Sequence, residues 1–193
     1  MGKSEQKAER RGMNREEALE LVKEKVSNRN LIKHMLATEV CMKEMAEHLE
    51  EDKDKWALAG LLHDLDYDST KDDFPRHGFE SVEMLEGKEL PEDILHSILS
   101  HTGSVERESV MDKALYAIDP LTGLIVAAAL MHPSKKLENL DVDFIMRRFK
   151  EKRFAAGANR EQIKTCSELG MELEEFIEIC LKGMQSISDE LGL

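Results

Sequence analysis

His63 and Asp64 close the run LAGLLHDLDYD (residues 58–68), an apolar stretch that reads as a buried helix ending in two metal-ligating side chains. Burying an imidazole or a carboxylate without a partner is costly, and a divalent cation is one of the few partners that offsets it. Adjacent residues on a helix splay about 100° apart, so the two cannot chelate as an i, i+4 pair. They can share a cation only in a crevice between helices, with further ligands arriving from elsewhere. Two residues fit that need. His34 lies on the face Leu31, His34, Thr38, Cys41, Met45, at three- and four-residue steps, and so points inward. Taken alone, it equally suits a core histidine bonded to backbone. Asp119 stands in the otherwise apolar YAIDPLTGLIV, immediately before Pro120, where an unpaired carboxylate would be expensive and a cation relieves it. His48 shares the His34 face but lies about 21 Å further along the helix, too far for one site.

The order His34, His63-Asp64, Asp119, each on its own predicted helix, resembles the H…HD…D signature of the HD-domain superfamily of metal-dependent phosphohydrolases. LAGLLHDLDYD is similar to the LLHDIG-type helix of the HDIG-type subgroup, with Leu65-Asp66 in place of Ile-Gly. The resemblance covers roughly residues 29–131. It implies an all-α fold with the site between helices, and His34, His63, Asp64 and Asp119 around one metal. It also implies two more histidines between the HD pair and the last Asp, holding a second metal bridged by the HD aspartate. RHGFESVEML and ILSHTG supply His77 and His101 in that interval, one opening a predicted helix and one ending another. A carboxylate has two oxygens, so Asp64 can place one on each ion. His96 is rotated off the His101 face, and His132 reads as structural.

Mixed imidazole and carboxylate ligation fits one or two divalent ions among Fe, Mn, Zn, Ni and Co. A pair of such ions acidifies a bridging water and clamps phosphoryl oxygens, which suits phosphate-ester hydrolysis. The catalytic candidates are Asp64, with Asp66 and Asp68 as groups that could protonate a leaving alcohol, although DLDYDSTKDD reads equally as a solvated loop. Lys135 and Lys136 in PSKK are expected to meet the substrate phosphate, because they follow the helix that begins at Asp119. RRFKEKRF is expected to be a solvated helix face. The leading reading is a metal-dependent phosphohydrolase of a nucleotide or other small phosphate ester. A diiron oxygenase with the same six ligands and a non-catalytic regulatory module that keeps the metal for stability are the alternatives. The Gly-Tyr-Pro motif of the cyclic-dinucleotide phosphodiesterases is missing, which lowers the weight of that subclass.

The elements that position these residues are helical. Aromatics make up 5% of the 193 residues while Leu, Ala, Met, Glu and Lys abound, and no segment alternates with period two. An all-α, HD-domain-like bundle is therefore expected, with a loose tail over 1–12 and one domain over 13–193. Its core would span 29–131, followed by helices over 132–193. NREEALELVKEKV carries a capping box at Asn14 and Glu17, and NREQIKTCSELG starts with Asn159 as cap and stops at Gly170. Pro120 is expected to end or kink its helix. Leu173, Phe176, Ile177, Cys180, Leu181, Met184 and Ile187 mark one face of a last helix, packed on its own core or in a homodimer.

A net charge of −13 tells against nucleic-acid polymers and anionic membranes, leaving a small phosphorylated substrate as the expected partner. The longest apolar run, 121–131, is too short to span a bilayer. The N-terminus has no signal-peptide pattern, and Gln6 stands where a myristoylation site needs Ser or Thr. Cys41, Cys166 and Cys180 are scattered and odd in number, as reduced core thiols would be. A cytoplasmic protein is expected.

Overall fold

The computed structural model describes residues 12–193, so the expected tail up to residue 11, with the Gln6 position, lies outside the described residues. The chain is all-α, with no strand among the described residues. Its centre is α2 (Arg29–His48), whose Asn28 side chain caps the first turn by accepting from the Asn30 and Leu31 amides. One flank of α2 meets α3 (Lys53–Leu62), another meets α7 (Val110–Met131), and a third meets α10 (Leu173–Ser186).

Glycine sets how closely two of these helices approach. A Cβ on Gly60 of α3 would come within 2.8 Å of the Thr38 carbonyl oxygen, and one on Gly183 of α10 within 2.9 Å of the Val40 carbonyl oxygen. Both obstacles are backbone, so neither can yield cheaply, and α2 is gripped from two sides within a single turn. The α2–α3 approach matters most, because His34 and His63 lie one turn from it. Around this contact, Met35, Met42, Met45, Leu61 and Leu62 are fully buried. Cys41, Cys166 and Cys180 are buried free thiols.

The remaining elements close the molecule. α1 (Arg15–Lys25) begins at the Asn14–Glu17 capping box and packs on α3. After α3 the chain turns through His63–Asp66 into the short α4 (Tyr67–Thr70) and a 3-10 turn at Phe74–Arg76. The expected solvated loop is thus partly ordered around the buried Asp66. α5 (Phe79–Leu85) starts two residues later than expected, because Gly78 takes φ +83° and leaves His77 in the preceding turn. α6 (Glu92–Ser100) ends at His101. α8 (Val142–Lys150), α9 (Arg160–Lys164), α10 and α11 (Ser188–Leu191) form the C-terminal part, with a 3-10 turn over Thr165–Leu169 ending at the left-handed Gly170.

Pro120 does not end its helix. α7 runs unbroken from Val110 to Met131, started by a Ser109–Asp112 capping box. By length and composition it could cross a bilayer, unlike the shorter run visible in sequence, but here it is a core helix packed on α2, α6, α8 and α9. Proline lacks the amide that would bond the Tyr116 carbonyl four residues back. The Gln162 side chain fills that vacancy from α9, donating Nε2–H to the Tyr116 carbonyl at 2.8 Å. A proline in the helix is therefore balanced by an amide 42 positions later in the chain.

This pairing predicts a thermodynamic coupling. Gln162→Leu should destabilise the chain by about 1–2 kcal/mol by leaving the Tyr116 carbonyl unpaired. In a Pro120→Ala background, where the new amide re-forms the intrahelical bond, the same substitution should have a smaller effect. Urea denaturation of the four variants in the cycle measures the difference.

Candidate metal centre

Six side chains converge where α2, the turn after α3, the turn before α5, the end of α6 and the middle of α7 meet. The Asp64 carboxylate lies between two pairs of histidines. Its Oδ2 is 3.4 Å from His34 Nε2 and 3.4 Å from His63 Nε2, while its Oδ1 is 3.3 Å from His77 Nε2 and 3.5 Å from His101 Nε2. Asp119 Oδ1 joins the first pair, 3.0 Å from His34 Nε2 and 3.7 Å from His63 Nε2. The Nε2 atoms within each pair are 3.2 Å apart.

These separations carry a chemical meaning. Bonds of about 2.0–2.2 Å from one ion place neighbouring ligand atoms roughly 3.0–3.5 Å apart. Two uncharged imidazole nitrogens have no reason to sit at 3.2 Å except around a shared proton or cation. His34, His63 and Asp119 form one group whose ligand atoms all lie within 4.8 Å of one another, and His63, Asp64 and His101 form another. Donors of this kind could hold a divalent metal ion, with Asp64 between the two histidine pairs.

Each imidazole is aimed by a bond on its other nitrogen. His63 Nδ1–H donates to the Gly60 carbonyl at 2.8 Å, and His101 Nδ1–H donates to the Ile98 carbonyl, both one turn back in the same helix. His34 Nδ1–H donates to the Thr122 hydroxyl at 2.9 Å, which in turn donates to the Asp119 carbonyl at 2.9 Å. His77 Nδ1–H donates to Asp66 Oδ1 at 2.8 Å. In every case the outer bond fixes the tautomer that leaves Nε2 as a ligand lone pair facing inward.

The electrostatics show how strongly the site attracts positive charge. Burial alone would push His34 down, but Asp119 and Asp64 reverse this and raise it to about 10. Burial likewise opposes protonation of His77, and Asp64 and Asp66 raise it to about 9. Burial works against ionisation of Asp64 and Asp119, yet the surrounding histidines hold both well below the ordinary carboxylate range. Without a metal, protons on Nε2 occupy the positions a cation would take.

The structure places the other expected site residues differently. Asp66 is fully buried and aimed away from the crevice: besides His77 it accepts from the Gly78 amide at 2.7 Å and the Ser81 amide at 3.1 Å. Its carboxylate is occupied, so its place is behind His77 rather than before a leaving group. Asp68 accepts from the Ser27 amide at 2.9 Å and the Asn28 amide at 3.3 Å, tying the start of α2 to α4. Lys135 and Lys136 are exposed and do not line the crevice. Because α7 continues past Pro120, they lie beyond twelve further helical residues, roughly 18 Å along its axis. His96 bonds Asp112 at 2.9 Å, His48 faces Glu175, and His132 bonds Ser134, all outside the group.

A cavity of about 590 Å³ opens from five of the six converging side chains, His34, Asp64, His77, His101 and Asp119, with His63 buried behind them. Tyr67 and Phe74 border it with their rings 5.3 and 5.4 Å from that of His77, and among the described residues no Lys or Arg lines it. Its far wall comes from residues 155–162, which sequence reasoning left without a role. The Arg160 guanidinium holds that wall in shape by donating to the carbonyls of Phe149, Phe154, Ala155 and Ala158. The one sequence clue was Pro120, which orphans a carbonyl and so demands a donor from somewhere.

The HD domain family model matches residues 31–130, just over half of the chain. The chain belongs to the HD domain family. No curated protein and no solved structure matches it. The HD match begins at the first turn of α2 and ends with α7, so it takes in all six converging side chains. The 155–162 wall lies outside it.

Metal uptake by this HD domain should release protons. With His34 raised to about 10 and His77 to about 9, both nitrogens are protonated in the metal-free chain at neutral pH and must shed their protons to bind an ion. Titrating Mn²⁺ or Zn²⁺ into metal-free protein near pH 7.5, in buffers of different ionisation enthalpy, should reveal release of about two protons when both positions fill. Apparent affinity should rise as pH rises toward 9.

Proposed function

We propose that this HD domain is a metal-dependent phosphohydrolase acting on a small phosphate ester. The observation that carries the reading is Asp64, whose two oxygens face two separate histidine pairs and so allow one carboxylate to bridge two ions. His34, His63, Asp64 and Asp119 would hold one ion, and Asp64, His77 and His101 the other. Divalent cations bound there supply charge to offset the phosphoryl oxygens and acidify a water to a hydroxide near neutral pH. The donors are nitrogen and oxygen without thiolate, which suits Fe, Mn, Zn, Ni or Co.

The chain's own contribution is orientation and exclusion. The four anchored imidazoles and the buried Asp64 arrive already placed, so little reorganisation is required when substrate enters. Asp66 acts as a positioning residue by fixing His77. Among the described residues no lysine or arginine lines the cavity, so the phosphoryl group's charge would be met at the ligand cluster. We also place the chain with the HDIG-type members. Leu65 is buried in the core, as the usual Ile could be, and Asp66 in place of Gly supplies the His77 anchor.

The test is metal analysis of the purified protein and a screen of phosphate esters with Mn²⁺, Fe²⁺, Co²⁺, Ni²⁺ and Zn²⁺. Asp64→Ala should lose bound metal and at least roughly 1,000-fold in kcat/KM, about 4 kcal/mol, while remaining folded by circular dichroism. Hydrolysis that survives Asp64→Ala, or a wild-type protein that binds metal and cleaves no ester, would reject the proposal.

A further inference from the structure

A second cavity, of about 450 Å³, adjoins the first, and His34 and Gly123 line both. Along α7 the lining passes from Asp119 to Gly123 in the first cavity and on to Val126 and Leu130 in the second, at three- and four-residue steps along one face. From Gly123 to Leu130 this groove follows the helix for roughly 10 Å. Ala37 of α2, Leu191 and Leu193 complete an aliphatic lining. Two of the polar groups beside it are already engaged. The Thr122 hydroxyl accepts from His34 Nδ1–H and donates to the Asp119 carbonyl, and Lys33 Nζ donates to the Leu191 carbonyl at 2.7 Å. Among the described residues no Phe, Tyr or Trp lines the groove, so a flat ring has nothing to stack on there, whereas methylene groups meet other aliphatic carbons. Gly123 stands at the junction, inside the 22-residue α7, where glycine weakens a helix. A Cβ there would meet nothing within 4 Å, so the close packing that accounts for Gly60 and Gly183 does not account for Gly123. Its missing side chain instead keeps the passage between the two cavities clear.

We propose that this groove holds the unbranched aliphatic chain of an alkyl phosphate monoester whose phosphoryl group lies at the histidine–aspartate cluster. The continuity of the two cavities carries the assignment: a phosphoryl group beside His34 puts the ester's chain next to Gly123, and the aliphatic lining continues from there along α7. Each methylene withdrawn from water adds a similar increment of binding, so chain length selects the substrate rather than a hydrogen bond. Hydrolysis forms a bond from a water oxygen to phosphorus, breaks the bond from phosphorus to the ester oxygen and transfers a water proton to that oxygen. The products are inorganic phosphate and the alkanol. The assignment rests on the phosphohydrolase reading for cleavage of the ester, but not for binding of the chain.

The experiment has two arms. In the first, butan-1-ol and hexan-1-ol are titrated into the full chain and followed by methyl NMR. The methyl signals of Ala37, Val126, Leu130 and Leu193 should shift saturably, with affinity rising by about fourfold for each added methylene. In the second, kcat/KM with Mn²⁺ is compared for ethyl, butyl, hexyl and octyl phosphate, and should climb with chain length by a similar factor per methylene up to the end of the groove. Gly123→Leu, which the open space accommodates, should reduce the advantage of hexyl over ethyl phosphate at least fivefold. Leu130→Gln, at an exposed position, should remove the gain from hexyl to octyl while keeping the gain from ethyl to butyl. Unshifted methyls, equal affinity for the two alcohols, or a chain-length dependence that neither variant alters overturns the groove whether or not esters are cleaved. The same methyls shifting with protein concentration alone, together with a dimer's mass in light scattering, would assign the face to a second copy and overturn it too. Failure to cleave any ester while the alcohols bind in the expected order overturns the phosphohydrolase reading alone.

Discussion

Asp64 is buried in a crevice with one oxygen toward His34 and His63 and the other toward His77 and His101, and the surrounding structure is arranged to keep that carboxylate charged. A buried carboxylate normally protonates, because desolvation penalises its charge. Here four imidazoles from four separate segments face it, and the ionised form prevails. Such a cluster is stable only when positive charge occupies its centre. In the metal-free chain His34 and His77 provide it as protons, and a bound divalent metal would replace them. Two glycine contacts, Gly60 on Thr38 and Gly183 on Val40, hold α2 at the distance this arrangement requires. The backbone packing and the electrostatics thus serve one geometry.

The region beyond the HD match is joined to the site through a defect in a helix. Pro120 follows Asp119 directly and deprives the Tyr116 carbonyl of its partner. Inside a long core helix this would ordinarily favour a break or a sharp kink. Gln162 instead supplies the missing bond from outside, so α7 continues and Asp119 stays beside His34. The same interaction pins the start of α9 against α7 and sets the wall over the crevice. One hydrogen bond therefore links the histidine–aspartate cluster to the segment that shapes the space in front of it.

The helical class and the convergence of His34, His63, Asp64 and Asp119 were legible from residue type, helical spacing and the improbability of burying such groups unpaired. His77 and His101 came from the family resemblance, since a histidine at a helix end has no period to place it. What sequence could not give was direction. Asp66 and Asp68 sit two and four residues from Asp64, and nothing in DLDYDSTKDD says that the first turns back behind His77 while the second reaches Ser27. Lys135 and Lys136 seemed near the site because Pro120 looked like a stop. With the helix intact, they are carried to its far end. Gln162 could not be singled out in the sequence, because its partner is a carbonyl freed by a proline in another element.

Asp66 also shows why neighbouring carboxylates take different roles on one short turn. Asp64 and Asp66 are both buried, but their partners differ in kind. Asp64 faces only imidazole Nε2 atoms, groups that can give up their protons to a metal. Asp66 takes the Gly78 and Ser81 amides, which cannot lose theirs, and the His77 Nδ1–H. Its negative charge is therefore satisfied permanently, and it is not available to move a proton. By contrast, Asp64 is satisfied only while a proton or cation remains in the crevice. The chain confines exchangeable charge to the centre and surrounds it with bonds that do not exchange, and that division keeps the six side chains fixed whether protons or a metal ion hold the centre.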